Sequence, residues 1–223
     1  YTANVSGSVT DTSGNAMGAD VAWSFTTAAP PPPPPSCPCT VFGPTDGPTG
    51  SAVSDSPVEV GMKFRSDDNG YITALRFYKQ SNNTGTHVGH LWSSSGTQLA
   101  EATFNGETAS GWQQVDLDTP VQVTAGSVYT VSYYAAAGRF AFTPQGFATG
   151  VDRAPMHAPS DALAGGQGVY RYGSTSGFPS QSFNATNYWV DAVFDHTIPP
   201  ISAGPTVSVV SPTNGATGVE AST

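Results

Sequence analysis

The chain has 223 residues, with 25 Gly, 19 Pro, only 10% charged residues and a net charge of −9. Sparse charge with abundant Gly and Pro suits a turn-rich, all-β secreted module and argues against helical bundles. The seven Lys and Arg spread from Lys63 to Arg171 without a run, and no apolar stretch approaches the roughly 20 residues a bilayer span needs, so neither nucleic acid nor membrane insertion is expected.

Residues 1–28 open on Tyr1-Thr2-Ala3-Asn4-Val5, turn at Ser13-Gly14-Asn15 and return through Val21-Ala22-Trp23-Ser24-Phe25. Strand, turn and strand predict a hairpin. The segment resembles the closing strands of bacterial immunoglobulin-like domains, which carry a similar Trp-x-Phe-Thr pattern. Residues 29–36 hold six consecutive prolines, Pro30 to Pro35, a polyproline II spacer of about 19 Å. Cys37 and Cys39 then stand one residue apart. In extended chain that places them about 6.6 Å apart, so a Cys37–Cys39 disulfide requires a local bend, and free thiols or an intermolecular bridge are the alternatives.

From Val58 onward the pattern changes to short alternating strands, predicted at 58–65, 71–79, 87–93, 97–104, 112–118, 128–134, 138–143, 167–172 and 188–195. In the first, Val58, Val60, Met62 and Phe64 share one face while Glu59, Lys63 and Arg65 share the other, which predicts one buried side. Nine such strands with turns between them predict an all-β, jelly-roll-like antiparallel β-sandwich over residues 37–196. A linker at 197–205 leads to residues 206–223, which resemble the start of a following immunoglobulin-like domain. Terminal fragments of that kind invite self-association by strand addition.

The motifs Phe64 through Tyr78, Thr86-His87-Val88-Gly89-His90-Leu91-Trp92, Gly111-Trp112-Gln113-Gln114-Val115, Tyr129 through Tyr134 and Asn187-Tyr188-Trp189-Val190-Asp191 together resemble the bacterial domain family of unknown function numbered 4082. The Cys-Pro-Cys entry fits the family's leader, so the resemblance covers about residues 37–196. It implies a β-sandwich attached to secreted enzymes or cell-surface proteins, beside immunoglobulin-like repeats, with carbohydrate as the ligand.

No catalytic motif is legible, and the chain is not expected to be an enzyme. Gly173-Ser174-Thr175-Ser176-Gly177 has Thr where a nucleophile elbow needs Ser. His87 and His90, an odd number of residues apart, fall on opposite faces of a strand and make a poor metal pair. Asp67-Asp68-Asn69-Gly70 reads better as a hairpin turn than as a calcium loop. Jelly-roll sugar binders often hold a structural calcium between first and last strands, which nominates Glu59 and Asp191. Two long connections, 144–167 and 173–187, are the natural places for a binding face. If they share one end of the sandwich, Tyr170, Tyr172, Phe178 and Trp189 offer flat faces to sugar rings, and Arg171, Arg153 and His157 offer donors to hydroxyls. The expected function is a non-catalytic extracellular module that binds polysaccharide or surface glycan. A spacer or a filament and adhesin subunit that assembles through its terminal strands is the alternative.

Overall fold

The computed structural model describes residues 1–24, 26, 36–50 and 54–197. The proline run and the segment 206–223 lie outside the described residues. The chain falls into two compact units, 1–34 and 35–223.

The first unit is a two-stranded antiparallel ribbon, β1 (Thr2–Val5) against β2 (Val21–Ser24), with Ala3 opposite Trp23. A bridge between Thr10 and Ala16 closes its tip. There Asp11 accepts hydrogen bonds from the backbone of Ser13 and Asn15, an Asx turn that explains the Asp-x-x-Gly-Asn pattern.

The second unit is an antiparallel β-sandwich. Its strands in chain order are β3 (Val58–Ser66), β4 (Gly70–Lys79), β5 (His87–Ser93), β6 (Gln98–Thr103), β7 (Gly111–Val123), β8 (Tyr129–Ala135), β9 (Val151–Arg153) and β10 (Met156–Ala158). A single helical turn α1 (Asp161–Ala164) follows, then β11 (Val169–Tyr172), β12 (Gln181–Ser182) and β13 (Val190–Asp195). The larger sheet runs β12-β11-β3-β8-β5-β6, with the β9–β10 hairpin joined to the end of β3, and the smaller runs β13-β4-β7. Phe64, Phe77, Tyr133, Leu91 and Phe194 fill the space between the sheets with no exposed surface. Burying a side chain such as Phe64 or Phe77 contributes about 1.5–3 kcal/mol.

Three features depart from the strand pattern read in the sequence. Residues 138–143 form no strand: Gly138 turns back on Ala135 at the end of β8, and Thr143 makes an isolated bridge with Asn187. The stretch 144–167 is not structureless: it holds the β9–β10 hairpin and α1, whose N-terminus is capped by the Ser160 hydroxyl. Finally, β3 is buried on both faces, with Glu59 as inaccessible as Val60. Its outer face is covered by chain returning over it: Gln167 bonds the backbone of Lys63 in both directions, and the Lys63 ammonium donates to the carbonyl of Ala164.

Cys37 and Cys39 are joined in a disulfide with their Cα atoms 4.6 Å apart, so the chain bends here away from extended geometry. The segment after it is tied to the last strand, since Cys39 and Phe194 exchange backbone hydrogen bonds of 2.8 Å.

Candidate functional site

The two sheets are unequal, and this creates the site. Strand β13 packs over β8 and β3, β4 over β5, and β7 over β6. Because β11 lies on the far side of β3 in the larger sheet, it extends past the smaller sheet's edge and part of its inner face stays open. Residues i and i+2 of a strand share a face, so Tyr170 and Tyr172 both point into this opening. Register places them beside Val60 and Val58 respectively.

The result is a pocket of about 220 Å³ lined by Val58, Val60, Phe140, Tyr170, Tyr172, Phe183 and Tyr188. The Tyr170 and Tyr172 rings meet at 68° with centroids 5.5 Å apart, and Phe140 meets Tyr188 at 78° and 5.5 Å. Phe183 on the rim is 66% exposed and Tyr172 is 48% exposed. The Tyr172 hydroxyl donates to Asp55 at 2.5 Å. That hydrogen bond, with some burial, pushes the phenol pKa up to about 12, and burial pushes Tyr188 upward too. Both rings therefore stay neutral near pH 7, presenting apolar faces with hydroxyl edges and one carboxylate beside them.

The other nominated ligand residues are dispersed. Arg171 points to the outer face of the larger sheet, where its guanidinium donates to the Thr175 carbonyl at 3.1 Å. Phe178 also lies on that face, edge-on to Trp92 at 5.8 Å. Trp189 is only 8% exposed, packed against Phe42 at 4.9 Å and bonded through its indole nitrogen to Thr143. Its φ of +55° is costly for a bulky residue, and the Asn187 side chain holds it by accepting its backbone N–H at 2.8 Å. Arg153 pairs with Asp46 at 3.2 Å. His157 is clamped between Asp152 at 2.8 Å and Asp67 at 2.6 Å, which ties the β3–β4 turn to the β9–β10 hairpin. Of the seven, only Tyr170 and Tyr172 share a pocket.

Glu59 and Asp191 form no common site, because they sit in different sheets with separate partners. Asp191 accepts from the backbone N–H groups of Val41, Phe42 and Ala192 and pairs with Arg76 at 3.5 Å. Burial pushes its pKa up to about 6 in spite of Arg76 and those three donors. Glu59 accepts from Ser132 at 2.6 Å and bonds His90 at 2.9 Å. Among the described residues, no group of three or more His, Cys, Asp or Glu side chains is placed to hold a metal ion.

The model of a family described as a domain of unknown function (DUF4082) matches residues 45–190. The chain belongs to the DUF4082 family. No curated protein matches it. The matched span of this DUF4082 chain contains every residue that lines the aromatic pocket.

Sequence reasoning placed Tyr170 and Tyr172 but left out Phe140, Phe183, Tyr188 and Asp55. Phe183 carried a usable signal, an aromatic in a long connection. The two valines carried none, since alternation assigns Val58 and Val60 to the core and cannot tell that the covering sheet ends beside them.

Proposed function

We propose that this DUF4082 domain is an extracellular carbohydrate-binding module whose ligand site is the aromatic pocket at the open edge of the larger sheet. The observation that carries the reading is the pairing of exposed flat rings, Tyr172 and Phe183, with hydrogen-bonding edges and the Asp55 carboxylate. Sugars combine apolar C–H faces with hydroxyl rims and so match such a surface. An exposed Phe at the mouth of a pocket contributes nothing to the core and is the kind of apolar surface that marks a binding site. The Cys37–Cys39 disulfide fits an oxidising compartment, secreted or at a cell surface.

The test is affinity electrophoresis in gels containing a panel of soluble polysaccharides, with wild type beside Tyr172→Ala and Phe183→Ala. Wild type should be retarded by at least one polysaccharide, and each variant should lose about tenfold in affinity while melting normally. Absence of retardation across the panel, or retardation unchanged in both variants, overturns the reading.

A second reading rests on the terminal ribbon. Val21 and Trp23 in β2, with Val9 and Met17, are each about half exposed, and an isolated two-stranded ribbon is marginal in water. This supports a spacer or filament role in which an immunoglobulin-like partner, of bacterial type by its sequence pattern, covers the ribbon by strand addition. Sedimentation velocity across a hundredfold concentration range distinguishes it: a monomer throughout argues against this assembly.

A further inference from the structure

The outer face of the larger sheet carries a hydrogen-bonded relay that interleaves in sequence with the aromatic pocket but points the opposite way, since Glu59 alternates with the pocket residues Val58 and Val60 along β3. Ser176 Oγ lies 3.0 Å from His90 Nε2, and His90 Nδ1 lies 2.9 Å from Glu59 Oε1. Ser132 donates to the same Glu59 oxygen at 2.6 Å and accepts from the Trp92 indole at 2.7 Å. Glu59 has no exposed surface and His90 is 1% exposed. The second carboxylate oxygen, Glu59 Oε2, is buried without a hydrogen-bond partner. Leaving a carboxylate oxygen unsatisfied in the interior is expensive, so a purely structural account of this buried acid is incomplete.

We infer that Ser176, His90 and Glu59 form a nucleophile–base–acid relay able to accept an acyl group from a carboxylic ester. Both distances fall within the hydrogen-bond reach required of nucleophile, base and orienting group. With the Nδ1 proton donated to Glu59, the Nε2 lone pair faces the Ser176 hydroxyl, the tautomer that general-base catalysis needs. Trp92 lies 5.3 Å from the His90 ring at 31°, and Phe178 closes on Trp92, so an apolar wall flanks the imidazole. The backbone N–H groups of Ser176 and Gly177 donate to no acceptor among the described residues, which leaves two donors beside the nucleophile for a developing oxyanion.

The turn that presents Ser176 is held by Arg171, a positioning residue. Its guanidinium donates to Thr175 and lies against Gly177, where a Cβ would stand 2.6 Å from Nη1 and push the arginine side chain aside. In the reaction, Ser176 Oγ bonds the ester carbonyl carbon while its proton moves to His90 Nε2. The C–O bond to the leaving group then breaks, and the departing oxygen takes that proton. Water attacks the acyl-Ser176 carbonyl by the same route, releasing the acid and restoring the serine. Glu59 keeps its hydrogen bond to Nδ1 throughout and stabilises the imidazolium. Glu101 Oε2, 3.4 Å from the same Nε2 and largely exposed, adds a second carboxylate facing that transient cation.

The test uses a fluorophosphonate probe, which transfers its phosphonyl group to an activated serine oxygen with loss of fluoride. The full chain is labelled, digested and mapped by mass spectrometry. Ser174 and Ser180, both exposed in the same connection, serve as internal controls that need no variant. Ser176 is expected to label at least about 100-fold faster than either, the scale of a positioned general base. His90→Gln is expected to abolish that preference, and Ser176→Ala to remove the adduct and any burst of nitrophenol from p-nitrophenyl acetate. Labelling of Ser176 at the rate of Ser174 and Ser180, or a preference that survives His90→Gln, overturns the inference.

Discussion

The two fully buried carboxylates of the sandwich, Asp191 beneath the smaller sheet and Glu59 on the larger, solve the same problem in opposite ways. Asp191 uses both oxygens: Oδ1 takes the N–H groups of Val41 and Ala192, while Oδ2 takes that of Phe42 and faces Arg76. Arg76 is itself sandwiched, 4.1 Å above the Trp112 ring and bonded to the Phe42 carbonyl. Glu59 concentrates its hydrogen bonds on one oxygen and leaves the other bare. A saturated buried acid pins backbone, here fastening residues 41–42 onto β13. A half-satisfied one stores unused hydrogen-bonding capacity beside a histidine and a serine.

The largest effect should follow from Asp191→Ala. It orphans three backbone donors and strands a buried guanidinium whose own pKa is already lowered by desolvation, so unfolding free energy should fall by about 3–5 kcal/mol in urea denaturation. A loss under about 1 kcal/mol would mean that residues 41–42 are held by something else. The charge itself works in the other direction. Because the Asp191 pKa is raised in the folded protein, the native state binds more protons than the unfolded chain between about pH 4 and about 6. The penalty for ionised Asp191 is fully present above about pH 6 and is relieved as pH falls through that window. Relative to Asp191→Asn, which has no such proton, wild type should gain up to about 3 kcal/mol between pH 7 and pH 4. Parallel pH profiles for the two proteins would contradict a raised pKa at Asp191.

The contrast between these acids also explains what was legible in the sequence. The antiparallel sandwich was legible because period-two alternation is a local property: Val58, Val60, Met62 and Phe64 meet the core together as the pattern requires. His87 and His90 fell on opposite faces for the same reason, one against Phe77 in the core and the other against Trp92 outside it. What alternation cannot report is what covers the second face. Glu59 read as solvent-facing because nothing local reveals that residues 173–178 fold back over it. The relay draws on positions 59, 90 and 176, three segments with no shared motif, so the Thr at the centre of Gly173–Gly177 was uninformative about the Ser beside it. The aromatic pocket was half legible: the spacing of Tyr170 and Tyr172 gave a shared side, but the edge of the smaller sheet is set by strand order alone.

The smallest stability effect, and the sharpest separation of the two acids, is expected from Glu59→Gln. At Asp191 an amide cannot replace four acceptor contacts with one oxygen. At Glu59 a single oxygen already takes the hydrogen bonds of both Ser132 and His90, so a glutamine oriented toward them keeps both and puts its amide nitrogen where an oxygen already lacks a partner. The change in unfolding free energy should stay within about 1 kcal/mol. Function at the relay should nevertheless respond, because a neutral amide oxygen keeps the Nδ1–H hydrogen bond but does not stabilise the imidazolium as a carboxylate does, and Ser176 labelling should fall by roughly 10²–10⁴. Measured together, the two readouts separate packing from chemistry. A stable Glu59→Gln protein with undiminished Ser176 labelling would show that the serine owes nothing to the acid. A variant destabilised as severely as Asp191→Ala would make Glu59 a structural fastening of the same kind as Asp191.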